Sequence, residues 1–153
     1  MIYRLLPPDT LILNVELEDI DFDNFEEQNG LSIKELYDNL YETMKYFRGI
    51  GLSANQCGIS ARAFIMYTSM NPEKVEMFIN PKIVAYSEER KLFAEGCLTF
   101  PNLFLNLKRP ETIVVEYYDM EGEKHTKKFT GLTSRVFQHE YDHMQGKNFT
   151  MYA

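Results

Sequence analysis

Leu132-Thr133-Ser134-Arg135-Val136-Phe137-Gln138-His139-Glu140-Tyr141-Asp142-His143-Met144 is flanked by Gly131 and Gly146, with Val136, Phe137, Tyr141 and Met144 on or near one side. That spacing predicts a helix over about Leu132 to Met144. His139 and His143 stand four residues apart, a turn of about 400° and a rise of roughly 6 Å, so both imidazoles share one face and can reach one metal ion. Glu140 sits near that face without being needed as a ligand, which suits a general base acting on water beside the ion. The chain has only three histidines. A chance pair at this spacing followed by Glu arises on the order of once in a few hundred such sequences. Asp142 is expected to be an orienting or capping partner, not a ligand of the ion.

Working outward, Ser32 and Glu35 form a capping-box pattern ahead of Ile33, Leu36, Leu40, Met44 and Phe47, which recur at helical spacing and stop at Gly49. Short apolar stretches at residues 63–68 and 75–86, broken by Asn71-Pro72 and Asn80-Pro81, read as strands. A β-branched and aromatic run from Thr112 to Tyr118 leads through Asp119-Met120-Glu121-Gly122 into Lys124 to Phe129, a hairpin. Helix, strands, hairpin and helix in that order give an α+β domain. No repeat or linker interrupts it, so residues 1–153 are expected to form a single domain.

Charge and composition narrow the function. Lysine and arginine number 16 against 23 aspartates and glutamates, a net charge of −7 that repels phosphate backbones and anionic lipid, so neither nucleic acid nor membrane is an expected partner. Residues 14–27 carry much of the acid, interleaved with Leu17, Ile20, Phe22 and Phe25, and read as a solvated surface segment that packs down. Met1 to Thr10 has no sustained apolar run and does not read as a secretory signal. Two cysteines, Cys57 and Cys97, fit a reducing cytoplasm better than a disulfide framework.

Two histidines leave a catalytic metal site one ligand short. The residues after Met144 offer no carboxylate, His or Cys, so the third ligand must come from upstream, where Cys97, Cys57, His125 and Glu95 are the candidates. A glycine beside the sulfur in Glu95-Gly96-Cys97-Leu98-Thr99 favours Cys97 without excluding the others. Gly49-Ile50-Gly51-Leu52-Ser53-Ala54-Asn55-Gln56 reads either as a helix end and tight turn or as a loop along which a substrate backbone can lie, with Gln56 donating a hydrogen bond.

Together, Gly49 to Gln56, Glu95 to Thr99 and Gln138 to His143 resemble the three ordered motifs of the peptide deformylases, which remove the formyl group from the N-terminal methionine of nascent polypeptides. Asn80-Pro81 and Arg109 also stand where that family places an Asn-Pro pair and a basic residue. The resemblance implies antiparallel β-sheets packed around a central C-terminal helix carrying the HExxH motif, with one further N-terminal helix. It implies Cys97, His139 and His143 as ligands of one divalent ion, natively Fe(II), with Zn(II) or Ni(II) in purified protein. Glu140 would be the acid/base, Gln56 and the Leu98 N–H would hold the developing oxyanion, and Ile50 and Gly51 would pair with the substrate main chain. Arg109 would touch the peptide further along, and Val136, Phe137, Ile50 and Tyr141 would wall the methionine pocket.

Ser53, Cys57, Thr99 and Met144 depart from the family pattern by small or near-isosteric changes, for which tuning and not loss of activity is expected. The chain stops soon after the motif helix, like the short members of the family, some of them carried by phages. That implies action in a bacterial cytoplasm, or a phage host's, on formyl-methionyl nascent peptides, with a reduced role in ribosome docking. Two rivals follow from the same residues: a metallopeptidase, disfavoured by the missing downstream ligand, and a closed structural metal site, which would need a fourth ligand such as Cys57.

Overall fold

The computed structural model describes residues 1–152. After a 3-10 turn at Leu11–Leu13 come helices α1 (Phe25–Asn29) and α2 (Ile33–Tyr46). Seven strands follow: β1 (Gly51–Ser53), β2 (Ala63–Met70), β3 (Glu73–Tyr86), β4 (Arg90–Cys97), β5 (Phe100–Pro110), β6 (Thr112–Tyr118) and β7 (Lys124–Thr130). Helix α3 (Gly131–Met144) and a 3-10 turn at Phe149–Tyr152 close the described chain. Strands pair antiparallel in a five-stranded sheet of order β1-β2-β3-β6-β7, and β4 pairs with β5 in a separate two-stranded sheet. The expected α+β architecture with a C-terminal motif helix is therefore present, with the five-residue α1 as an addition inside the acidic segment. Among the described residues no helix is long and apolar enough to cross a membrane.

Alternation along the middle strands decides what lies on each face of the larger sheet. Ala63, Ile65, Met77 and Ile79 point to the α2 side, where Leu36, Leu40 and Met44 meet them. Their neighbours Phe64, Met66 and Phe78 point the other way, onto Val136, Phe137 and Met144 of α3. Both faces are covered, which is why residues 63–66 read as a continuous buried run and not an alternating one. Phe137 stands edge-on to Phe64 and Phe78, with ring centroids 5.1 and 5.2 Å away. Burying such a ring contributes roughly 1.5–3 kcal/mol. The capping box of α2 forms as read: Ser32 Oγ accepts from the Glu35 N–H at 3.1 Å, and Glu35 Oε1 accepts from the Ser32 N–H at 3.0 Å.

The acidic segment is tied down by specific polar contacts. The Asn80 side chain accepts from the Ile20 N–H at 2.6 Å and donates to the Ile20 carbonyl at 3.0 Å. Buried Arg62 donates to the carbonyls of Leu17, Met144 and Pro81, knitting this segment to the end of α3. Gly146, in the left-handed region at φ 73°, lets the chain turn directly against the Val15 backbone.

Candidate active site

Three elements converge on the motif face of α3. Strand β4 delivers Cys97 at its end, α3 delivers His139, Glu140 and His143, and β1 with the following 3-10 turn (Ala54–Cys57) delivers Gly51 and Gln56. The donor atoms of Cys97, His139 and His143 lie within 4.8 Å of one another, and Cys97 Sγ is 3.5 Å from His143 Nε2. Thiolate plus two imidazoles is a donor set suited to a borderline-soft divalent ion. One orphaned atom fits that reading: Glu140 Oε1 is buried without a hydrogen-bond partner. Cys57 and His125, both considered as ligands from sequence, lie outside this cluster.

Glu95 lies outside that donor cluster and orients one of its members. It faces His139 Nδ1 at 3.1 Å, leaving Nε2 for the ion. Arg109 and Arg135 both donate to the same carboxylate. Burial works against the Glu95 charge, but His139 and Arg109 outweigh it and hold the carboxyl down at about 2. Asp142, expected to be an orienting or capping partner, accepts from Arg109 Nη1 at 3.0 Å and from the Tyr152 hydroxyl at 3.1 Å. Phe149 lies against the His139 ring at 5.7 Å, backing it from the C-terminal turn.

Burial pushes Glu140 up to about 7, so near neutrality it exchanges a proton readily. Burial also disfavours a charged His139, yet the Cys97 sulfur and Glu95 outweigh it and push that ring up to about 10. Burial and the neighbouring His139 push His143 well down. A neutral His143 and an anchored His139 are what an ion requires once it displaces the His139 proton.

Gln56 is fixed from both ends. Its Oε1 accepts from the Ser53 N–H at 3.0 Å and the Ser53 hydroxyl at 2.9 Å, so Nε2 must face the site, 2.9 Å from Thr99 Oγ1 and 3.6 Å from Cys97 Sγ. Ser53 and Thr99, two of the departures from the family pattern, thus both set the Gln56 amide.

A cavity of about 800 Å³ opens onto this cluster, lined by Ile50, Gly51, Gln56, Cys97, Leu98, Val136, His139 and Glu140 among others. Three sequence expectations need correction. Phe137 is wholly buried between the rings of Phe64 and Phe78 and belongs to the core. Tyr141 packs on that core and against Arg62, away from the cavity. Arg109 is 6% exposed, with its guanidinium spent on Glu95 and Asp142, so it braces the site from behind and lines no part of the cavity. In their place the cavity wall is completed by Leu5, Leu6 and Pro7 from the N-terminus and by Leu103, Phe104 and Leu132.

Fold and donor set together define an α+β protein carrying a candidate Cys-His-His metal site on an HExxH helix. The family model described as "Polypeptide deformylase" matches residues 6–153, and the chain belongs to that family of metal-dependent hydrolases. It is 44% identical over 119 residues to a peptide deformylase of Karelsulcia muelleri, a match covering 76% of this chain and 63% of that relative's length. Among solved structures, the crystal structure of a probable peptide deformylase from Synechococcus phage S-SSM7 superposes with a TM-score of 0.88 at 34% identity, covering 99% of each chain. A Met-Ala-Ser-bound class I type b peptide deformylase from Acinetobacter baumannii superposes with a TM-score of 0.89 at 25% identity, covering 100% of this chain and 99% of that one.

Proposed function

We propose that this chain hydrolyses the formyl group from the N-terminal methionine of nascent peptides in the cytoplasm, with Cys97, His139 and His143 holding a divalent ion that is natively Fe(II). The observation that carries the reading is the meeting of those three donors and the unpartnered Glu140 carboxylate at one cavity. A divalent ion bound there supplies Lewis acidity, making water a competent nucleophile near neutral pH. Glu140 takes the proton from that water and returns it to the departing amine, a task suited to a carboxyl that burial raises from its ordinary value. The Gln56 amide, held by Ser53, donates to the formyl oxygen as charge builds on it, together with the Leu98 N–H; losing one such donor costs about 3 kcal/mol of barrier. Ile50 and Gly51 offer backbone to the peptide, and Val136 walls the methionine side chain.

The tripeptide held by the Acinetobacter protein supports a peptide occupant for the same cavity here. Formate release from formyl-Met-Ala-Ser, measured anaerobically with Fe(II)-loaded protein beside Glu140→Gln, tests the reading. Rapid release by the parent and near-silence from a variant that still binds metal is the expected result. No release by metal-loaded parent protein would overturn it.

A further inference from the structure

The cavity mouth carries a charge that the chemistry above leaves unused. Of the charged side chains lining the cavity, Glu95 and Arg135 neutralise one another and Glu140 is the proton carrier. Arg48 remains: it is exposed and makes no ion pair among the described residues, in a chain whose net charge is −7. Its backbone is also unusual. Arg48 sits just past α2 with φ 58°, a left-handed conformation that costs a side-chain-bearing residue free energy and that Gly or Asn would adopt with less strain. The helix end accounts for that backbone, since the Gly49 N–H returns to the Met44 carbonyl at 2.9 Å; what the fold leaves unexplained is an unpaired cation at the cavity entrance.

Position along the loop says which part of the substrate. Gly51 lies against the Glu140 carboxylate, marking where the reacting end must sit. Residues 48 to 51 all line the cavity, so Arg48 stands three residues before Gly51 on the same wall, a separation of at most about 10 Å. A peptide lying along this stretch brings the two residues that follow its methionine within reach of a long arginine side chain.

We infer that Arg48 is a specificity-determining residue that favours substrates carrying a carboxylate side chain within two residues after the formyl-methionine. This rests on the deformylase reading and refines it. The neighbouring rim residues Phe47, Leu103 and Phe104 are uncharged, so Arg48 meets no competing cation or anion of the rim.

The test uses C-terminally amidated formyl-Met-Ala-Glu, formyl-Met-Ala-Gln and formyl-Met-Ala-Lys, and the same set with the variable residue second, as substrates for the metal-loaded protein. In one set or both, kcat/KM for formate release is expected to fall from Glu to Lys by about threefold to tenfold at low salt, with the spread shrinking as salt is raised. Arg48→Glu is expected to reverse the order. Equal kcat/KM across both sets, with formate still released, would overturn the Arg48 assignment and leave the activity standing. A preference that survives unchanged in Arg48→Glu would also overturn it. Release from none of the peptides would instead sink the deformylase reading.

Discussion

The Glu140 carboxylate rests directly on the backbone of Gly51: a methyl group placed on that α-carbon would stand 2.7 Å from Glu140 Oε2 and 3.2 Å from its Cγ. The base is therefore held in place by the absence of a side chain opposite. Gly51→Ala pushes Glu140 out of line with the site. A fall in kcat/KM of on the order of a hundredfold is expected, since small displacements of a catalytic group have such effects. Metal content by atomic absorption should be unchanged, because no ligand touches the new methyl group.

Glu140→Gln removes the proton carrier and is expected to lower kcat by at least a thousandfold. Its stability should respond to pH in the opposite sense from an ordinary paired carboxylate. Burial raises the folded carboxyl from 4.5 to about 7, so the folded state binds the proton more tightly than the unfolded state does. The stabilisation from holding that proton is fully present below about pH 4.5 and is lost as pH rises through about 7. Metal-free Glu140→Gln should therefore overtake the metal-free parent in chemical denaturation above pH 7, by on the order of 2–3 kcal/mol, and lose the advantage near pH 4.5.

Arg109→Met separates bracing from substrate contact. Asp142 would lose its ion-pair partner and Glu95 one of its two arginines, at a cost of roughly 3–5 kcal/mol in unfolding free energy. Glu95, still held by Arg135, would position His139 less firmly, weakening metal affinity by roughly 10-fold. With metal saturating, KM for formyl-Met-Ala-Ser should be nearly unchanged. A selective rise in KM with metal affinity intact would return Arg109 to the peptide.

Gly146→Ala addresses the fold alone. The new methyl group would fall 2.6 to 2.8 Å from the Val15 backbone, at a residue with φ 73°. Backbone cannot move aside as a side chain can, so a loss on the order of 2–4 kcal/mol is expected. Thermal unfolding should fall by roughly 5–15 °C.

What could be read in advance divides along physical lines. Helices α2 and α3 announce themselves through capping and 3.6-residue periodicity, and the β6–β7 hairpin through its β-branched run and glycine turn. Strands β4 and β5 do not, because their apolar residues serve the cavity and not the core: of β5, Leu107 is buried while Leu103 and Phe104 stay exposed. Strand β1 hid behind two glycines and is visible only through its pairing with β2. Periodicity, which reports where side chains are buried together, carried the scaffold but not the cavity wall. At the site, the candidate donors followed from chemistry and spacing, whereas the roles of Glu95, Arg109 and Asp142 depend on who meets whom across β4, β5 and α3. Phe137 was misplaced for the same reason: a helix position shows that it is apolar, not which neighbour it faces.

The two-stranded sheet has a consequence for how the protein communicates within itself. It shares no strand pairing with the larger sheet, yet it supplies the Cys97 sulfur and also Leu103 and Phe104 along the cavity. One two-stranded sheet thus carries a donor of the candidate metal cluster and a wall of the cavity. If an ion drawn to Cys97 changes how tightly a peptide is held there, the peptide must change the hold on the ion by the same factor. Metal and substrate would then be mutual effectors, and hydrogen exchange across residues 90–110 is where their conversation would be heard.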